Sequence, residues 1–507
     1  MEAASALLWL LAFPFIAAPV VYIGGRLVVR ESEKSEKPLL NPAGWLALLA
    51  LLGAGAFLYI IGKDIFSVGQ IIFATVGNIR LRFDGISLLM SILVLALGIL
   101  VTIYSFAYMK GEEHEEKFYA LLVLMIGSII GLSCAIDLFN LWVWFEAMAI
   151  TTILLVAFYR NQPGSLEAGV KYLVQSAAGS VLVVLGIVLV FFQTGSLDLE
   201  SIRMAVTQPS LLLVIAGGLM VIGFGVKIAL VPMHTWLPDA HSQAPSGISA
   251  MLSGVVIEAG LIALLRAFGA LAVGSDRWGY ILIGFAVLNM VVGNLMALRQ
   301  REVKRMLAFS SLSHVGYMLL GFGVMIAFYN PYAGMGGFYH LITHGLMKGL
   351  AFLAAGALLY VLHVGKGDHH PLTVDDLNGA SRKYPLTAFT LSVALLALGG
   401  LPPLAGFMSK WQIFASSVMT QNGWVIALVI FAALNSVLSL GYYAPLVNRL
   451  YRRETSPIVE TGKPVSIWMS IPMVVLTLLI VVLGVAPNLI YWLTGPSAIS
   501  IFMFFGN

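Results

Sequence analysis

The sequence predicts an all-α, polytopic membrane protein with about 14 transmembrane helices, arranged as two inverted five-helix repeats that contain broken helices. Three observations carry that expectation. The 507 residues are 60% hydrophobic and only 10% Asp, Glu, Lys and Arg, well below the roughly 25% charge of a soluble domain. The mean hydropathy is +0.95, and apolar runs repeatedly reach the ~20 residues that cross about 30 Å of hydrocarbon. Lys227, Lys348 and Lys410 lie inside such runs, where a charge is expensive without a partner or a task, so buried charge here points to ion movement.

In chain order the spans are expected at 3–25, 43–62, 84–109, 118–136, 138–159, 168–193, 211–231, 247–269, 278–298, 306–329, 335–362, 385–408, 424–447 and 466–493. Short polar or Pro/Gly turns separate them. Asp137 marks the break between the fourth and fifth and suits a helix cap. The tail 497–504 is too short to span. The first run lacks a positive leader and is followed by a charged linker, which favours a retained helix over a cleaved signal.

Two of these spans carry the same irregularity. In "GFGVKIALVPMHTWLPDAH", Lys227 precedes Pro232 by five residues, and in "ALGGLPPLAGFMSKWQIF", Lys410 follows Gly399, Gly400, Pro402 and Pro403. Proline removes a backbone donor and clashes with the preceding turn, so both helices are expected to be interrupted beside their lysines. A simple proline kink explains either helix alone but not both, each next to a lysine. Paired discontinuous helices point to an inverted-repeat transporter. The chain divides accordingly into an N-terminal three-helix segment at 1–110, a first repeat of helices 4–8 at 111–270, a second of helices 9–13 at 271–450, and a last helix with its tail at 451–507.

Basic residues set the topology. Arg26, Arg30, Lys34 and Lys37 follow the first span; Lys110, Lys117 and Arg160 follow the third and fifth. Arg299, Arg301, Lys304 and Arg305 follow the ninth, Lys366, Arg382 and Lys383 the eleventh, and Arg449, Arg452, Arg453 and Lys463 the thirteenth. The opposite loops are poorer, apart from Lys63, Arg80 and Arg82. The basic loops are therefore expected in the cytoplasm and both termini outside. These anchors account for the +4 net charge; "RQREVKR" reads as a loop, with no nucleic-acid module beside it. The single Cys134 offers neither a disulfide partner nor a cluster for iron–sulfur or zinc, and the His340-x-x-x-His344 spacing lacks the further ligands of a metal site.

"KIALVPMHTWLPDAHSQAPSGISAMLSG" and "SHVGYMLLG…HLITHGLMKGLAFLAAG…GLPPLAGFMSK" resemble the signatures of the antiporter-like membrane subunits shared by respiratory complex I, energy-converting membrane-bound hydrogenases and multisubunit Mrp sodium/proton antiporters. The resemblance covers about residues 80–450. Length, helix pattern and the Lys348 and Lys410 pattern favour the Mrp D-type branch. It implies that Glu146 in "FNLWVWFEAMAI" pairs with Lys227, and that His314, His340, His344 and Lys348 form a central polar line ending at Lys410. Acid and base on different helices lower each other's desolvation cost and can exchange a proton; a static ion pair is the plainer alternative. His340, His344 and Lys348 follow i, i+4, i+8 on one helix face, and histidine suits proton relay, although His340 alone equally suits a core hydrogen bond. Glu258 departs from the family pattern, where lysine is common in this region, and is open to pairing with Lys227 or with a histidine. His234, Asp239 and His241 fit both the lining of a polar entry and the capping of the broken segment.

The function this implies is proton translocation through Glu146, Lys227, Glu258, His314, His344, Lys348 and Lys410. It would be coupled to sodium exchange or to electron transfer in partner subunits such as a membrane-bound hydrogenase. Iron–sulfur clusters, or nickel–iron, would then sit in those partners and no cofactor in this chain. Expected partners are small Mrp-like chains, a second antiporter-like subunit, a hydrogenase or oxidoreductase arm, membrane lipids, protons and sodium. Three alternatives remain: the D-type component of a stand-alone Mrp sodium/proton antiporter, an organic-solute carrier and a structural membrane adaptor. The carrier lacks an evident substrate cluster, and the adaptor needs its buried charges only for assembly.

Overall fold

Apolar runs with internal backbone hydrogen bonding are the only economical way across hydrocarbon, and the computed structural model is accordingly helical almost throughout. It describes residues 2–35, 41–68, 71–206, 208, 210–271, 276–367 and 370–505; of the expected loop cations, Lys37 lies outside them. The N-terminal part comprises α1 (Ala3–Ser35), α2 (Ala43–Val68), the hairpin β1 (Ile72–Val76) and β2 (Ile79–Phe83), and α3 (Gly85–Tyr108). Next come α4 (Glu115–Cys134), α5 (Leu138–Val156), α6 (Pro163–Thr194), the short α7 (Leu199–Ala205), α8 (Leu211–Ile228), α9 (Trp236–Gln243), α10 (Ser246–Met251) and, after a π-helical stretch at Leu252–Val256, α11 (Ile257–Leu271). The second half holds α12 (Arg277–Leu298), α13 (Val303–Ala327), α14 (Pro331–Leu362), α15 (Pro385–Gly399), α16 (Ala405–Val418) and α17 (Gly423–Leu450). It closes with α18 (Pro457–Glu460), α19 (Ile467–Val485) and α20 (Tyr491–Phe505).

Among the described residues, 13 helices are long and apolar enough to cross a membrane, and the interrupted pair α15 and α16 supplies one more span. The chain is thus a multi-pass membrane protein. Asp137 caps α5 as expected, accepting from the Asn140 amide at 2.8 Å. Both lysine-bearing helices are broken: α8 stops at Ile228 and the chain resumes helix at Trp236, while α15 stops at Gly399 and α16 starts at Ala405. Four spans lie between them, so they run in opposite directions across the bilayer. The span through α10 and α11, together with α13, is buried along its whole apolar length, and α14 nearly so; these form the interior axis. α14 crosses the π-helical stretch with backbones touching. A Cβ on Gly345 would lie 2.7 Å from the Gly254 carbonyl oxygen, so only glycine permits that approach.

Three features differ from expectation. The twelfth span extends ten residues beyond 408 because α16 continues to Val418. The tail forms part of α20, which folds back so that the Ser497 hydroxyl donates to the Gly85 carbonyl at 2.9 Å. The antiparallel hairpin, with Ile72 opposite Phe83, lies in a segment expected as a loop, although "IFATV" and "IRLRF" flanking Gly77-Asn78 carry a hairpin signal.

That hairpin explains two of the three basic residues on the otherwise poor side, Arg80 and Arg82. Arg82 is buried against Asp84, Nε to Oδ2 3.3 Å, and reaches Glu200 at 3.3 Å. Asp84 also caps α3 through the Ile86 and Ser87 amides. Fully buried Arg266 of α11 donates to Asp84 at 2.9 Å and to the Ser133 carbonyl at 2.6 Å. Hairpin, α3, α4 and α11 are thereby tied at one end of the bundle. Arg266→Met breaks a fully buried ion pair and leaves Asp84 to Arg82 and its cap amides; it is expected to destabilise by roughly 3 kcal/mol, measured as a lower melting temperature of the purified complex. Adding Asp84→Asn, which keeps a helix cap, should recover part of the loss.

Candidate functional site

Lys227 ends α8 where the helix breaks, and the break is stabilised by side chains from elsewhere. Asn289 of α12 accepts from the Val231 amide at 2.9 Å and donates to the Ala229 carbonyl at 3.3 Å. The Trp236 indole donates to the Val226 carbonyl at 2.7 Å. Lys227 is buried and donates to the Tyr172 hydroxyl of α6 at 2.7 Å, with its ammonium 4.5 Å from the Tyr172 ring centre and 5.7 Å from that of Phe145. Tyr172 in turn stacks on Trp236 at 3.9 Å and meets the Thr152 hydroxyl at 3.1 Å.

Glu146 and Lys227 are not in direct contact, although the carboxylate stays within electrostatic reach of the ammonium. Among the described residues no ion pair within 4.0 Å joins them, and Glu146 Oε1 is buried without a hydrogen-bond partner. Tyr172 takes the place of the carboxylate. An aromatic hydroxyl in an apolar helix gives no signal of this in sequence; only the fold brings α6 onto α8.

Glu258 and the histidines form the middle of the site. Glu258 sits just after the π-helical stretch, a local widening frequent at functional positions. Its Oε1 lies 2.9 Å from His344 Nδ1, both residues fully buried. Of the two partners the sequence leaves open, Glu258 therefore takes a histidine. His314 Nδ1 lies 3.1 Å from His340 Nε2, and His340 Nδ1 lies 2.8 Å from the Ser409 hydroxyl, next in sequence to Lys410. The His314 ring stands 5.2 Å from both the His340 and His344 rings. His340 therefore bridges His314 and Ser409.

Lys348 donates to the Leu307 carbonyl at 2.7 Å and to the Ser310 hydroxyl. Lys410 likewise stands beside a break. It donates to Leu398 O, a carbonyl freed where α15 ends, at 2.9 Å and to Ser436 at 2.7 Å, with its ammonium 4.8 Å from the Tyr317 ring centre.

The remaining candidates stand nearer one end. Asp239 is held between Arg305 at 2.6 Å and Lys171 at 2.9 Å. Lys304, expected as a loop cation, is instead buried and donates to the carbonyls of Ser242 at 3.2 Å and Ala244 at 2.6 Å, capping α9. His241 is fully buried, stacked at 4.6 Å on Phe352, with neither ring nitrogen hydrogen-bonded among the described residues. His234 packs its ring 6.4 Å from Phe309. A polar cluster thus reaches from the α9 end to the interior axis.

Residues 135–439 match the family described as NADH:quinone oxidoreductase/Mrp antiporter, transmembrane, and residues 74–119 match the NADH-ubiquinone oxidoreductase (complex I) chain 5 N-terminus. The chain belongs to this antiporter-like family. It is 35% identical to F(420)H(2) dehydrogenase subunit N of Methanosarcina mazei, over 80% of this chain and 83% of that one. It is 30% identical to NADH-quinone oxidoreductase subunit N of Desulfitobacterium hafniense, over 87% and 89%. Among solved structures, a chain of an archaeal membrane-bound sulfane sulfur reductase superposes with a TM-score of 0.85 at 26% identity, covering 98% of this chain and 97% of that one. A chain of the Mrp complex from a Dietzia species gives 0.84 at 21% identity, covering 99% and 98%, a likeness of fold.

Tyr172→Phe keeps the stack on Trp236 and removes the acceptor of Lys227. Losing a hydrogen bond to a charged group costs about 1.5–3 kcal/mol, so ion-transfer rates in the reconstituted complex should fall by about tenfold or more at unchanged protein level. Equal rates would show that the hydroxyl is not used.

Proposed function

We propose that this chain is the proton-translocating subunit of a multisubunit membrane complex whose partner subunits carry out electron transfer. The observation that carries the reading is the chain of buried, mutually bonded titratable groups between two broken helices. Glu258 and His344 form one link; His314, His340 and Ser409 form the next, ending beside Lys410. Protonatable groups inside a membrane are costly and mark ion pathways, and histidines bonded to one another can pass a proton by exchanging donor and acceptor roles.

Lys227 is the first-half proton carrier and Lys410 the second-half one. Lys227 holds its proton while its ammonium approaches the Glu146 carboxylate, which favours the charged form, and releases it toward Glu258 when that approach is withdrawn and the Tyr172 hydroxyl alone compensates it. The proton then moves through His344, His314 and His340 to Lys410, with Lys348 setting the positive field along the central line. His234, Asp239 and His241 supply the entry beside the first break. The basic loops are cytoplasmic and both termini outside, so the first break faces the cytoplasm and the second the outer surface.

The dehydrogenase relatives favour a redox host over a stand-alone Mrp antiporter. Iron–sulfur clusters, with nickel–iron in a hydrogenase host, belong to those partners, and small membrane chains with a second antiporter-like subunit complete the membrane arm. Sodium exchange would enter through the same protonation changes.

Lys227→Ala and Lys410→Ala test the reading in the host complex reconstituted in liposomes. Proton translocation should fall by about tenfold or more, at least ~1.4 kcal/mol on the transfer barrier, while uncoupled electron transfer and complex recovery persist. Unchanged translocation overturns the reading; loss of assembly with both variants would instead mark a structural adaptor.

A further inference from the structure

A second polar site lies away from the proton line, where the ends of α1 and α3 meet the starts of α2, α4 and α19. It is a cavity of about 1110 Å³. One wall is aromatic: Trp45 and Phe106 lie 4.6 Å apart, and Trp468 stands 5.8 Å from Trp45 and 5.5 Å from Phe106. The other carries charge of both signs, including Arg26, Lys110, Glu115 and Glu116. Glu116 is 1% exposed, yet neither carboxylate oxygen has a hydrogen-bond partner; Arg26 stands 3.9 Å and His114 3.7 Å away. A buried carboxylate left so incompletely bonded is costly unless a donor joins it.

An apolar groove of about 580 Å³ also has His114 in its lining and follows α1, α4 and α5 past Tyr22, Leu121, Leu124 and Leu154. A mixed-charge cavity at the ends of membrane spans, next to an apolar groove running along them, fits one class of molecule. We propose that the cavity is a binding site for a phospholipid with an ammonium-bearing headgroup. Glu116 receives the ammonium beside the Trp45, Phe106 and Trp468 faces, Arg26 and Lys110 receive the phosphate, and an acyl chain occupies the groove. The charge pattern selects this lipid over an anionic one, which would bring no donor to Glu116 and add a like charge beside it.

The test uses the purified host complex in nanodiscs of equal phosphatidylethanolamine and phosphatidylglycerol, with retained lipid quantified by native mass spectrometry. Phosphatidylethanolamine should be retained preferentially, and Glu116→Gln should lower its retention by about tenfold, the loss of one charge-assisted hydrogen bond. Trp45→Leu, a change on the half-exposed wall, should also lower it and carries the test if the Glu116 variant does not assemble. Equal retention of the two lipids, retention unchanged in both variants, or a photo-crosslinker at Lys110 that captures a neighbouring subunit in place of lipid would overturn the proposal.

Discussion

Everything in this fold turns on how an ammonium group is kept inside a membrane. Water is the usual partner of such a charge, and here carbonyls and hydroxyls replace it. Lys410 takes a carbonyl freed by the end of α15, and Lys348 takes Leu307 O together with a serine. The second break therefore has two consequences: it exposes a backbone acceptor at membrane depth, and it creates an environment in which a lysine is tolerable there. Lys227 is the exception. Its hydrogen-bond partner is a single tyrosine hydroxyl, supplemented by two aromatic faces, and this poorest compensation makes it the lysine most open to perturbation.

The same constraint shapes the middle. Glu258 and His344 can be buried together because each supplies what the other lacks, and the glycines at 254 and 345 bring their helices into backbone contact so that the two meet. The helix carrying Glu258 also carries Arg266, which anchors it to the hairpin end of the bundle. A relay residue is thus held on an element fixed at its far end, which suits a group that must keep hydrogen-bond distance to a neighbour.

Much of this is legible in the sequence. Fourteen spans, the two broken helices and the lysine and histidine positions follow from hydropathy and from prolines beside charges, because these are local properties. Partner choice is not, since it depends on which helices pack. Tyr172, Ser409, Ser310 and Asn289 are ordinary residues of apolar helices until the fold places them against a lysine, a histidine or a break. The family resemblance pairs Glu146 with Lys227, whereas the hydrogen bond of Lys227 goes to Tyr172. Lys304 reads as a loop cation by its neighbours in sequence and is buried, because α9 needs its exposed carbonyls capped. The hairpin is easily missed because its strands are short beside helices of 20 residues or more.

The central claim is that protons cross between the two halves through the carboxylate–histidine line. The most direct measurement is the ratio of protons translocated to electrons transferred in the reconstituted host complex carrying Glu258→Gln, which preserves the shape of the side chain and removes its ability to carry charge. The expected result is a lower ratio with electron transfer sustained. An unchanged ratio would contradict a relay through Glu258 and leave the line as a set of structural hydrogen bonds.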